Sequence, residues 1–201
     1  MISHAALWLF TLALALLAVV ARARSGAVTF MRPIVVMLSI GAIVVIVAAE
    51  ERGSPVRLAG SLSLACAIVC AESDLATGLI FDGVTALGAL MIALTTLVAG
   101  EAKASAIGAF VCAGSMLALY AITRGSGIGL GDVKLGAIIG AGCGGAIAIG
   151  AIGIAFVAGS IWVLPLLLRK RTRMGDRLAF APLMALGTLA SLGIHALGAY
   201  G

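Results

Sequence analysis

The chain has 201 residues, of which 63% are hydrophobic and 10% are charged, with a formal net charge of +5. Water-soluble domains carry about 45–50% apolar and about 25% charged residues, so this composition excludes both a soluble globular fold and a disordered chain. Long unbroken apolar runs argue against a β-barrel, whose strands alternate apolar and polar residues. In a membrane protein an excess of bases sets orientation, and it gives no reason to expect a nucleic-acid partner.

The apolar runs predict an all-α, polytopic membrane protein with about eight transmembrane helices, and six to eight passes fit the pattern. A helix needs about 20 apolar residues to cross a bilayer. We interpret residues 1–201 as a single integral-membrane domain, with an N-terminal two-helix part at 1–55 and a core at 56–201. The predicted segments are 5–22, 33–49, 56–73, 80–99, 103–122, 133–147, 150–168 and 179–198.

The first segment is expected to be a retained helix and not a cleaved signal peptide, because no Lys or Arg precedes it and its apolar run is long for a signal core. Residues 133–168 form one apolar stretch that would be about 54 Å long as a single helix. That length exceeds one pass, so we predict a reversal at Gly144-Gly145 or at Gly150.

The basic residues predict the orientation in the membrane. Of the 13 Lys and Arg residues, only Arg52, Arg57 and Lys103 fall on one side of the predicted topology, and the other ten fall on the opposite side. The side richer in Lys and Arg faces the cytoplasm. We therefore expect both termini outside, and the connections after the first, third, fifth and seventh segments in the cytoplasm.

Five of the eight acidic residues fall on this cytoplasmic side. Asp176 lies among basic residues, and the other four are next to the ends of apolar segments: Glu72, Asp74, Asp82 and Asp132. Acids in such places are costly unless they face water or a partner, and they mark candidate functional sites. A structural interpretation is also open. Asp74 would cap a helix end and Asp82 would be the N-cap of the fourth segment, while Glu72 would be a solvated or paired charge.

A glycine-rich stretch precedes Asp132, with glycines at alternate positions from 125 to 131. Glycine disfavours a helix, so the pattern predicts a flexible loop with Asp132 as the N-cap of the next helix. No P-loop or Rossmann pattern accompanies it, and nucleotide binding is not expected. The four cysteines form no Cys-x-x-Cys pair, which favours small buried apolar side chains over a zinc site.

Three motifs in the sequence resemble those of the type IV prepilin peptidases, and they occur in that family's order. The stretch 129–135, GLGDVKL, resembles the Gly-x-Gly-Asp-x-Lys-Leu motif. Asp74 followed by LIFDGVT at 79–85 resembles the first motif, with Phe81 where proline is usual. The stretch 180–183, FAPL, resembles the late Phe-Gly-Pro segment, with Ala181 where glycine is usual.

The resemblance implies an intramembrane aspartic endopeptidase that removes the leader peptide of type IV prepilins and pseudopilins. It places the enzyme in a bacterial or archaeal cytoplasmic membrane, with the active site facing the cytoplasm and the core at 56–201 as the peptidase. The implied catalytic residues are Asp74 and Asp132, and Gly129, Gly131 and Lys134 are implied to belong to the substrate-loop motif.

The implied chemistry requires two carboxyl groups. One carboxylate takes a proton from water while one carboxylic acid protonates the carbonyl oxygen of the peptide, and two neighbouring carboxyls share a single proton. No metal or cofactor is implied. The sequence resembles the short, peptidase-only branch of the family, so N-methylation, S-adenosylmethionine and zinc are not expected.

Three alternatives remain open at this stage. A presenilin-like protease also uses Gly-x-Gly-Asp, but Ser73 precedes the first aspartate where that family has Tyr. A small ion-coupled transporter would use Asp74 and Asp132 to bind ions, but the sequence shows no convincing internal repeat of helices. A purely structural subunit would leave the Gly-x-Gly-Asp segment unexplained.

Overall fold

The computed structural model describes residues 55–125, 127–168 and 179–196. Within these ranges the chain is entirely helical and has no strand, so the all-α prediction is confirmed for this part. The first two predicted segments, and with them the N-terminal part at 1–54, lie outside the described residues. The six helices are α1 (Pro55–Thr77), α2 (Asp82–Val98), α3 (Ala102–Ile122), α4 (Leu130–Cys143), α5 (Gly145–Leu168) and α6 (Ala181–Ala196).

Eight membrane passes are not found in the described part of the chain. Three stretches are long and apolar enough to cross a bilayer, namely Leu58–Thr77, Ala102–Ile122 and Gly145–Leu164. The helices α2 and α6 contribute shorter apolar stretches, Asp82–Val98 and Ala181–His195. The 14 residues of α4 extend only about 21 Å, which is less than the roughly 30 Å of a hydrocarbon core. The composition and these helices are those of a membrane protein.

The reversal between α4 and α5 lies at Gly144, one of the predicted positions. Gly144 has φ 75° and ψ 166°, a backbone conformation that side chains with a Cβ rarely adopt. Its N–H donates to the Gly140 carbonyl at 3.1 Å and its carbonyl accepts from Ala148 at 3.0 Å. One residue therefore ends α4 and begins α5.

Helix α4 lies in the middle of the bundle and packs against each of the other five described helices. Glycines make this possible, since small residues allow helix backbones to approach closely. A Cβ added at Gly140 would collide with the Gly108 carbonyl of α3, and one added at Gly142 would meet Ala59 and Ser63 of α1. The buried core around α4 includes Leu135, Ile138 and Ile139.

Large apolar side chains cover the outward faces of α2, α3 and α5. Val98 is 82% exposed, Phe110 is 79% exposed, and Trp162 of α5 is more than half exposed. An exposed apolar surface of this extent is typical of a lipid-facing helix bundle.

Four helix ends meet at one end of the bundle: the C-terminal end of α1 and the N-terminal ends of α2, α4 and α6. Asp74 of α1 binds the first residue of α6, and Lys134 of α4 binds Asp82 of α2. The two N-termini of α4 and α6 bring positive helix-dipole ends toward the acids there. This end of the bundle therefore carries the candidate site.

Candidate functional site

Asp74 lies in the last turn of α1 and caps a different helix. Its Oδ2 accepts a hydrogen bond of 3.1 Å from the N–H of Ala181, which is the first residue of α6. The first four N–H groups of a helix have no partner within that helix. Asp74 is thus a helix cap, but for α6, 107 residues away in sequence, and not for the helices next to its own loop.

Asp132 is not the N-cap of α4, which corrects the sequence-based prediction. The helix begins at Leu130 and its N-cap is Gly129, so Asp132 is the third helical residue. Its Oδ2 accepts the N–H of Gly129 at 2.9 Å. Because this carboxyl satisfies a backbone donor from inside the first turn, the helix begins earlier than the predicted start at residue 133.

The two aspartates interact electrostatically. Asp132 is only 8% exposed, and this burial raises the pKa of its carboxyl from 3.8 to about 6. The hydrogen bond from Gly129 opposes the rise, and the negative charge of Asp74 adds to it. Asp74 itself is half-buried. The structure therefore brings both predicted catalytic side chains to one place, where the charge of one affects protonation of the other.

Gly131 lets α4 pack against the connection between α1 and α2. A Cβ added at Gly131 would lie 3.0 Å from Cβ of Ile80, which is tighter than ordinary contact. Gly129 differs, since its φ of −88° and ψ of 161° are extended backbone that any residue adopts. A Cβ added there would make ordinary contacts, with Asp132 Oδ2 at 3.5 Å and with the backbone nitrogen of Gly131 at 3.9 Å.

Asp82 is not an N-cap, and this prediction was wrong. The N-cap of α2 is Phe81, without a side-chain cap, and Asp82 is the first helical residue. Its Oδ1 instead accepts a hydrogen bond of 2.6 Å from Nζ of Lys134, which joins α2 to the helix that carries Asp132. Phe81 has φ −72°, inside the range that proline imposes, so the substitution at this motif position preserves the backbone.

We expect the ion pair between Asp82 and Lys134 to contribute little to stability, because the two side chains are 78% and 50% exposed. Exposed pairs contribute about 0.2–1 kcal/mol. Asp82→Asn, Lys134→Gln and the double variant, compared by thermal unfolding in detergent, should give a coupling energy in that range. Asp82→Asn should also keep most of the protein's activity. Glu101→Gln, which changes another exposed acid, is the control. A coupling energy above about 2 kcal/mol would show that the pair is part of the buried framework.

Among the residues that the structure describes, the other chemistry-bearing side chains do not form a metal site. In the described ranges no group of three or more His, Cys, Asp or Glu side chains is arranged to hold a metal ion. The four cysteines are free and buried, as predicted. Cys143 is hydrogen-bonded with Ser63 Oγ at 3.2 Å, which joins α4 to α1 in the core.

The described residues form six packed helices, three of which are apolar enough to cross a bilayer, and they place an acidic pair at one end. These features define a helical membrane protein with a candidate carboxylate site. The model of the type IV leader peptidase family matches residues 61–164, which is more than half of the chain. The chain belongs to this family, and it is a peptidase. Comparisons with curated proteins and with solved structures gave no match.

The matched range contains both aspartates and the ion pair, and it ends before α6. Two contributors to the site were not predicted from the sequence. They are Ile80, which packs on Gly131, and the N–H of Ala181, which binds Asp74. Both lie in stretches that resemble family motifs, and that resemblance was the only available signal. Ala181 takes an ordinary helical position, so no glycine is required there.

Proposed function

We propose that this protein is an aspartic endopeptidase that removes the leader peptide from type IV prepilins and pseudopilins, with Asp74 and Asp132 as its catalytic residues. One observation carries the proposal: both carboxyls lie at the end of the bundle where the ends of α1, α4 and α6 meet, within the range that the family matches. Asp74 accepts the N–H of Ala181, and Asp132 accepts that of Gly129. Asp82, another acid at this end of the bundle, is placed differently, since it is bound to Lys134 and mostly exposed.

The proposed reaction uses one proton shared between two carboxyls. One carboxylate takes a proton from water, and the water oxygen attacks the carbonyl carbon of the peptide bond. The protonated carboxyl gives its proton to the carbonyl oxygen, which forms a neutral tetrahedral intermediate. The C–N bond then breaks as the leaving nitrogen takes a proton from one carboxyl. A hydroxyl of the intermediate gives its proton to the other carboxylate, so the product is a carboxylic acid and the pair again holds one proton. The raised pKa of Asp132 supports a singly protonated pair.

The residues next to Asp132 support a role in binding the substrate strand. The backbone at Gly129 is exposed, whereas Gly131 is partly covered by Ile80. In the proposal an extended substrate segment lies along Gly129, next to the carboxyls. Lys134 acts indirectly, because its ammonium group is bound to Asp82. This exposed contact joins the start of α4 to α2 and adds little to stability.

We propose the cytoplasmic face of a bacterial or archaeal cytoplasmic membrane as the place of cleavage, because ten of the 13 bases fall on that side of the predicted topology. Reporter fusions after Gly53 and Gly100 are expected to read as outside, and a fusion after Arg171 as cytoplasmic. Alkaline phosphatase and a cytoplasmic reporter, fused at the same positions, control for expression. A cytoplasmic result at Gly100 would contradict the orientation and would move the aspartates to the outer face.

The experiment that tests the proposed function is co-expression of the full chain with prepilins from the same genome. Removal of the leader should appear as a faster-migrating band on a gel, and sequencing of the new N-terminus should place the cut at the leader boundary. The same precursor expressed alone is the control. If no precursor is cut while the protein is present in the membrane, the proposed function is wrong. In that case an ion-coupled role for the aspartates, tested by proton flux in vesicles, replaces it.

A further inference from the structure

The N-terminal end of α6 is anchored on α5 by two apolar side chains. Phe180 is 6% exposed, and its ring centroid lies 5.0 Å from that of Phe156 on α5, with the ring planes 44° apart. This tilted arrangement is one that aromatic pairs prefer. One turn later, Leu183 covers Gly159 of α5, where an added Cβ would lie 3.1 Å from Leu183 Cδ1.

Phe180 also sets the position of the first backbone groups of α6. Its carbonyl accepts the N–H of Leu183 at 3.0 Å and that of Met184 at 3.1 Å, so Phe180 is the residue from which the helix starts. The next residue, Ala181, is fully buried and directs its N–H to Oδ2 of Asp74. The direction of that N–H is therefore fixed by the residue whose ring rests on Phe156.

The ring contact links α5 to the helix end that binds Asp74. Helices α1 and α5 do not pack against each other in the described part of the chain, whereas α6 packs against both. With Oδ2 held by Ala181, rotation of the Asp74 carboxyl is restricted. Reacting groups must be held close to the productive geometry, and small displacements reduce rates strongly.

We infer that Phe156 and Phe180 are positioning residues, whose ring contact holds the N-terminus of α6 so that the Ala181 N–H fixes the carboxyl of Asp74. The inference rests on the proposed function, because Asp74 is assigned there to catalysis. The effect of the rings passes through the backbone of residues 180–181, because the N–H groups of Phe180 and Ala181 both hydrogen-bond the Asp74 carboxyl.

Hydrogen exchange of the full chain in detergent tests the inference without any substrate. The Ala181 amide has no partner within α6, so its protection reports the bond to Asp74, and the next residue, Pro182, has no amide that would obscure it. Phe156→Leu keeps an apolar side chain but removes the ring. We expect exchange at Ala181 to become about 10-fold faster in Phe156→Leu and in Asp74→Ala, and to stay near the wild-type rate in Phe156→Tyr.

A matched control separates this effect from general destabilisation. Leu64→Ala removes a fully buried side chain of α1 that packs against Leu189 and Leu192 of α6. It lies about 15 Å along α1 from Asp74 and outside the ring contact. This variant should lower the unfolding temperature while exchange at Ala181 stays close to wild type. Wild-type exchange at Ala181 in Phe156→Leu would overturn the inference.

Cleavage kinetics provide the second measurement. Phe156→Leu is expected to lower kcat about 10-fold with KM unchanged, Phe156→Tyr to restore kcat to within about twofold, and Leu64→Ala to keep kcat per folded molecule. A change in KM alone would contradict positioning. If the wild type cuts no prepilin, the proposed function fails, and the exchange rates still decide whether the ring contact holds Asp74.

Discussion

Asp74→Asn and Asp132→Asn are each expected to lower prepilin cleavage on the order of 10³-fold or more, because a single remaining carboxyl cannot both activate water and protonate the carbonyl oxygen. Asparagine keeps an oxygen that accepts a backbone hydrogen bond. The amide of Asp74→Asn can therefore still cap α6, and the amide of Asp132→Asn can still accept the Gly129 N–H. The substitutions remove the acid and retain the structure. Cleavage is measured by gel shift, and the amount of protein in the membrane by immunoblot.

The double variant should be no worse than either single variant, since members of one catalytic unit are strongly non-additive. Asp→Glu at either position should also fail, because an extra methylene displaces the carboxyl by about 1 Å and costs on the order of 10²-fold. The control is Glu101→Gln at the N-cap of α3, which should cleave like wild type. Robust cleavage by Asp74→Asn or Asp132→Asn would remove that residue from the catalytic pair.

Gly140→Val is expected to have the largest effect on folding. A Cβ at this position would collide with the Gly108 carbonyl of α3 and would lie 2.9 Å from Cβ of Cys112. The collision involves backbone, so the two helices must separate. Overpacking of this kind costs about 3 kcal/mol, and we expect the unfolding midpoint in detergent to fall by roughly 6–12 °C.

The same bundle offers a matched control for this change. Gly114 lies on α3 with nothing within 4 Å of an added Cβ, and it is exposed. Gly114→Val should leave the midpoint within a few degrees or raise it slightly, since valine has a higher helix propensity than glycine. Equal midpoints for Gly140→Val and Gly114→Val would contradict the close packing of α3 and α4.

The sequence was most informative for helices whose boundaries follow from the length of an apolar run. The predicted segment 103–122 differs from α3 (Ala102–Ile122) by one residue at its start, because its boundaries follow from hydrophobicity alone. The topology predicted from the sequence also placed Asp74, Asp132 and Lys134 on the same side of the membrane. The predicted loop before Asp132 was too long, because α4 already begins at Leu130. A glycine inside a helix costs about 1 kcal/mol. At Gly131 this cost is offset by packing on Ile80 and by the hydrogen bond from the Gly129 N–H to Asp132.

Contacts between distant residues were the part that sequence could not supply. An aspartate at the start of an apolar segment is a good N-cap on local grounds. The ammonium group that actually binds Asp82 comes from Lys134, 52 residues later. Asp74 likewise binds a backbone N–H 107 residues away. Local pattern determines which residues can cap a helix, whereas packing of the bundle determines which helix end each acid meets.

The enclosure of α4 by five helices has a consequence for how the bilayer acts on the protein. A change in bilayer thickness tilts or bends helices that contact lipid, and here those are α2, α3 and α5, with their exposed apolar faces. Asp132 lies on α4, a short helix that is packed between the other described helices. Within the described part of the chain, lipid composition therefore acts on the Asp132 carboxyl through shifts in helix packing, transmitted by contacts such as that between Gly140 and Gly108.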